Sequence, residues 1–149
     1  MFFGSDNTGP AHPQIMQALM EANAGYAAPY GTDPLTEEVR TRLREIFEAP
    51  EAAVYLVATG TAANSLGLAC LCPPTHTVFC TPHAHIHVDE CNAPEFYSGG
   101  AKLTLVGTED KLTPEALRRA IEGEGNRGVH GPQRGPVSLT QATEMGQTY

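Results

Sequence analysis

Apolar residues first recur at helical spacing after Pro13, where Ile15, Met16, Leu19 and Met20 mark one face of a helix running to about Asn23. Pro13 suits the first turn, because its missing N–H would have no intrahelical acceptor there. A polar, glycine-containing loop, Gly25 to Thr32, precedes a second helix. Asp33 has the side chain of an N-cap and Pro34 the fixed φ of a first helical residue. Leu35, Val39, Leu43, Ile46 and Phe47 then form one face until Pro50 stops the helix. At residue 52 the period changes. Ala52 to Val57 is a short apolar run with β-branched and aromatic members, which predicts a strand. The run ends in Thr59-Gly60-Thr61, and Ala62 to Leu71 suits a helix.

Beyond Pro73-Pro74 the same alternation repeats. Thr77 to Cys80 predicts a second strand, and a helix is expected to start between His87 and Ala93. Gly99-Gly100 leads into a third strand, Lys102 to Val106. Thr113-Pro114-Glu115 opens a helix through Ile121, closed by Gly123. Gly125 to Gly135 reads as a glycine-rich loop without a strand, and Pro136 to Gln141 as a fourth strand. Strands alternating with helices predict an α/β fold with a mostly parallel sheet and flanking helices, residues 51–149, preceded by a helical segment, residues 1–50.

Composition narrows the class. At 149 residues the chain has the length of one domain, and its 41% hydrophobic content can build a core. A formal charge of −8 argues against a nucleic-acid or anionic-membrane partner, since both need a basic face. Met1-Phe2-Phe3 is too short for a signal-peptide core, and no run approaches the roughly 18 apolar residues of a membrane span. A cytoplasmic protein is expected. Cys70, Cys72, Cys80 and Cys91 form no Cys-x-x-Cys pair and read as buried, reduced thiols.

Two segments carry candidate chemistry. Thr59-Gly60-Thr61 joins a strand to a helix N-terminus, where unpaired N–H groups and the helix dipole favour an anion. Gly60 would let a phosphate approach the backbone; an ordinary connection with Thr61 near the N-cap accounts for the segment equally well. It matches neither Gly-x-Gly-x-x-Gly nor a P-loop. The second segment is His83-Ala84-His85-Ile86-His87, followed by Asp89-Glu90. On a strand the three imidazoles would share a face and could hold a metal. In a loop or helix they would scatter, leaving a polar strand end or one imidazole lying flat against an aromatic ligand. Both segments fall at the carboxyl ends of strands, where parallel α/β sheets place their sites.

The ordered set resembles the N-terminal part of the threonine aldolase family, among the β-eliminating lyases that use pyridoxal phosphate. It comprises Ser5-Asp6-Asn7-Thr8, Tyr30-Gly31-Thr32-Asp33-Pro34, Thr59-Gly60-Thr61-Ala62-Ala63-Asn64, Ala84-His85 with Asp89-Glu90, and Ser138-Leu139-Thr140-Gln141-Ala142-Thr143-Glu144. Each motif alone is weak; together they span nearly the whole chain. The resemblance implies the first portion of a fold-type I large domain, with Gly60 and Thr61 holding the cofactor phosphate and Asn64 just behind. It places His85 on the pyridine ring and Glu90 near the ring's polar edge, with Ser5 on the substrate carboxylate. Tyr30 lies on the loop that in such enzymes reaches an active site shared between subunits of a homodimer or homotetramer.

The implied reaction is retro-aldol cleavage of a β-hydroxy-α-amino acid such as L-threonine to glycine and an aldehyde, with the cofactor ring as electron sink. A general base must take the β-hydroxyl proton. Where some members have a histidine beside a threonine, this chain has Thr143-Glu144, which makes Glu144 a candidate and looks closer to aldolases of bulkier substrates such as phenylserine. The Schiff-base lysine of the family, and the aspartate before it, would lie beyond Tyr149. Lys102 and Lys111 both read as surface residues. The chain is therefore expected to be a truncated or split aldolase, poorly stable and inactive alone, with residues 52–57 lacking sheet neighbours. Two other readings stay open: an inactive interaction module using the helices between Pro13 and Phe47, and a metal-dependent hydrolase built on His83, His85, His87 and Asp89.

Overall fold

The computed structural model describes residues 8–149, which divide into two units at Tyr55–Leu56. The first unit holds helices α1 (Pro13–Ala22) and α2 (Pro34–Ile46). In α1 the His12 imidazole caps the first turn by accepting the Gln14 N–H; in α2 Asp33 accepts from Thr36 N at 2.9 Å and from the Thr36 hydroxyl at 2.7 Å. These two bonds, the hydroxyl foremost, hold the Asp33 carboxyl below its ordinary value of 3.8. Neither helix buries a residue, and Ile15, Met16, Leu19 and Met20 stand exposed along α1.

The second unit is an α/β layer. Its elements are α3 (Gly60–Leu71), β1 (His76–Cys80), α4 (His85–Val88), α5 (Ala93–Tyr97), β2 (Lys102–Leu105), α6 (Pro114–Gly123) and β3 (Gln133–Val137). The strands form a parallel sheet in the order β2-β1-β3. The central strand is buried on both faces, as expected of a parallel strand covered by helices. Val78 and Cys80 point into a cluster with Leu68 and Cys72 of the α3 region and with Ala84, Ile86 and Ala101. Phe79 points the other way, onto Val106, Leu112 and the apolar stripe Ala116, Leu117, Ala120 and Ile121 of α6. The Thr77 hydroxyl, also fully buried, bonds Lys102 O and Thr104 Oγ1, so its polarity is satisfied inside the sheet.

Several sequence expectations are corrected. Residues 52–57 form no strand: Ala52 N bonds back to Ala49 O, and no ladder partner is present among the described residues. The last strand begins at Gln133, inside the stretch expected to be a loop, and ends at Val137. Gly135 explains how that stretch pairs. A Cβ there would collide with the Thr77 carbonyl and meet Cys72 Sγ, so only glycine allows β3 to approach β1 at the irregular register between Thr77 and Phe79. The helix expected to start between His87 and Ala93 is α5, which begins at Ala93, and an additional short helical turn, α4, precedes it at His85. Of the four thiols, Cys72 and Cys80 are buried, whereas Cys70 and Cys91 are exposed.

Candidate cofactor site

Helix α3 begins at Gly60, two residues before the expected position, and its N-cap is Thr59 rather than Thr61. Thr59 Oγ1 accepts the Ala62 N–H at 3.1 Å and Thr59 O the Ala63 N–H at 3.2 Å. Helix geometry leaves the N–H groups of Gly60 and Thr61 without an intrahelical acceptor. Gly60 has no left-handed φ, and a Cβ added there would meet no protein atom within 4 Å. Neither backbone conformation nor packing among the described residues therefore calls for glycine; what glycine preserves is open space before two free donors.

One turn further on, Asn64 Nδ2 donates to Glu90 Oε1 at 2.6 Å. His85 Nδ1 lies 2.8 Å from the same oxygen. An ionised carboxylate only accepts, so Nδ1 carries the proton and Nε2 is the variable nitrogen. Nε2 lies 3.7 Å from Asp89 Oδ2. The hydrogen bond to Glu90 raises the His85 pKa above its ordinary 6.5; partial burial opposes it, and the charges of Glu90, Glu144 and Asp89 add to it. Glu144, on the exposed segment after buried Thr143, is thus near enough to act on the imidazole electrostatically. The Glu90 side chain itself is completely buried.

Every residue assigned to the second unit can now be placed. Gly60, Thr61 and Asn64 lie on the first turns of α3, and Glu90 joins that helix to His85, with Glu144 within electrostatic reach. Tyr30 belongs to the first unit, where it is 98% exposed at φ 62, the first central residue of a tight turn closed by Thr32 N to Pro29 O at 3.4 Å. Ser5 lies outside the described residues. His83 and His87 are exposed, and among the described residues no three His, Cys, Asp or Glu side chains gather as metal ligands. Ser65 is not among the residues singled out from the sequence. It lies four residues after Thr61 on the same helical face, 1% exposed, and lines a cavity of about 420 Å³ with Thr59, Thr61, Ala62, Ala93 and Tyr97. The i, i+4 spacing was the available signal.

Comparison with known proteins decides the family. The beta-eliminating lyase model matches residues 3–149. The chain belongs to the beta-eliminating lyase family. Within it, the chain is 44% identical over 149 residues to a low specificity L-threonine aldolase of Pseudomonas aeruginosa and 40% identical over 148 residues to that of a Pseudomonas species. Each match covers 99% of this chain and 42% of the relative, so the chain spans about two fifths of their length. A solved threonine aldolase of Leishmania major superposes with a TM-score of 0.86 at 25% identity, covering 95% of this chain and 41% of that one. The parallel α/β architecture of this family member is thus the fold expected from its sequence. No helix of the described residues is long and apolar enough to cross a membrane.

Proposed function

We propose that this chain supplies the cofactor cradle of a pyridoxal-phosphate-dependent carbon–carbon lyase of the L-threonine aldolase type, acting on β-hydroxy-α-amino acids. The observation that carries the reading is the shared carboxylate oxygen: Asn64 on the turn helix and His85 both bond Glu90 Oε1, at 2.6 and 2.8 Å. That oxygen ties the imidazole to α3, the helix whose first turn carries the free N–H donors, and this supports reading the two as parts of one site.

The residues present suit a phosphorylated pyridine. The N–H groups of Gly60 and Thr61, at the positive end of α3, would hold the phosphate, and the open space at Gly60 would leave it room. His85 would lie against the pyridine ring, its own ring held by the Nδ1 bond to Glu90. Glu144, whose charge acts on His85, would accept the β-hydroxyl proton as general base. Ser5 and Tyr30 serve the substrate carboxylate and the active-site loop, Tyr30 within a homodimer or homotetramer. When bound, the cofactor supplies an electron sink for the pair left on Cα as the Cα–Cβ bond breaks.

The chain as given carries no lysine suited to anchoring that cofactor. Lys102 opens β2 opposite Thr77, at the far end of the strands from the Cys80 side that leads to His85. Lys111 is occupied, donating to Thr148 O at 2.7 Å and lying 5.0 Å from the Tyr149 ring centroid. Binding without turnover is therefore expected. Titration of the chain with pyridoxal phosphate, followed by absorbance and fluorescence, should show saturable binding that pyridoxal lacking the phosphate does not match. Gly60→Glu, which fills the open space and adds repulsion, should abolish it. Equal binding of pyridoxal, or unchanged binding by Gly60→Glu, would refute the cradle; glycine release from L-threonine by this chain alone would refute the need for a further lysine.

A further inference from the structure

Glu90 occupies an unusual position for a residue expected at a cofactor edge. Its side chain is fully buried, and its second oxygen, Oε2, finds no donor among the described residues. A buried carboxylate with one oxygen unsatisfied costs stability, so packing alone does not account for a glutamate here. The backbone around it is also held against its preference. Cys91 and Asn92 both take left-handed φ values, 49 and 60, turning the chain outward directly after Glu90 into the first turn of α5. Such conformations persist in non-glycine residues only where the surroundings enforce them. The result is one oxygen, Oε1, delivered between two elements far apart in sequence: Asn64 of α3 on one side and His85 of α4 on the other.

We propose that Glu90 is the positioning residue of this site, acting through His85 and Asn64 rather than on the cofactor. By accepting from Nδ1 it fixes the ring plane and the tautomer, leaving Nε2 as the nitrogen that gains and loses the proton. By accepting from Asn64 it ties that ring to the helix whose first turn forms the anion cradle, so the two parts keep their spacing. Second-sphere carboxylates orient imidazoles by the same means in many enzymes. The charged groups facing His85 are Glu90, Asp89 and Glu144; only Glu90 is within hydrogen-bonding distance. The importance of this arrangement for catalysis rests on the pyridoxal phosphate reading; the geometry does not.

The test is nitrogen NMR of the histidine side chains in the labelled, cofactor-free chain across a pH series. Above its midpoint, neutral His85 should carry its proton on Nδ1, and the midpoint should lie above 6.5. Glu90→Gln keeps an acceptor but removes the charge: the tautomer should persist while the midpoint drops toward 6.5. Glu90→Ala should lose the tautomer bias as well, and Asp89→Asn should leave it in place. A neutral ring protonated on Nε2 in the unaltered chain, or a Glu90→Gln midpoint equal to that of the unaltered chain, would overturn the assignment. The first of these outcomes requires no variant, so a misfolded substitution does not leave the question open. Because no cofactor is added, failure here and failure of pyridoxal phosphate binding are separate results.

Discussion

Single residues decide how closely the parts of this fold approach, and Gly135 is the clearest example. Read locally, Gln133-Arg134-Gly135-Pro136 contains one residue that weakens a strand and one that cannot donate to its ladder, so the sequence pointed to a loop. What makes it a strand is distant: the buried Thr77 carbonyl lies where a side chain at 135 would go. That constraint was illegible without the register. The candidate site shows the same division. The Gly60 turn and His85 could be named as candidates because their signals are local, whereas the Glu90 oxygen that joins Asn64 to His85 depends on a 26-residue separation that no spacing rule reports. Gly135→Ala must displace backbone or break the β1–β3 register, at a cost of about 1–3 kcal/mol. Urea unfolding of the variant against the parent chain measures it, and an unchanged midpoint would mean β3 does not pair as described.

Elements were legible where their signals are self-contained. Asp33-Pro34 and Thr113-Pro114 each announce a helix, and each cap accepts the N–H three residues on. Thr59 does the same for α3, but Thr61, two residues on, offers the same hydroxyl and was the cap expected from the sequence. Strands were less legible because a ladder needs two strands, which can be far apart in sequence. Ala52 to Val57 has strand propensity and no partner among the described residues, while β3 has a partner and little propensity. The cap assignment gives a paired prediction. Thr59→Ala removes the acceptor of the Ala62 N–H and should destabilise the second unit by about 1 kcal/mol. Thr61→Ala removes no capping bond and should stay within roughly 0.5 kcal/mol of the parent. Urea denaturation curves separate the two; equal losses would move the cap back to Thr61.

At the scale of the whole molecule, the second unit's stability is readable through its four thiols. The sequence reads as buried thiols, with Cys70 and Cys72 two apart in a helix and so pointing to different faces. Cys70 is exposed on α3, and Cys72, the residue that ends the helix, lies under Gly135. Cys80 sits at the end of the central strand, where burial first and the Glu95 charge second push its thiol up to about 11; burial alone raises Cys72. Thiolate is the reactive form, so both are protected twice over, by lack of access and by protonation at neutral pH. Treating the folded chain with a disulfide reagent at pH 7.5 should release two rapid equivalents, assigned to Cys70 and Cys91 by mass spectrometry. The other two should react only as the unit opens, with rates that rise together in urea and follow its unfolding curve. Four rapid equivalents would mean that the packing of α3, β1 and β3 around Cys72 and Cys80 does not hold in solution. Separate rates for the two slow thiols would instead divide that core into an edge that opens at β3 and a centre that opens last.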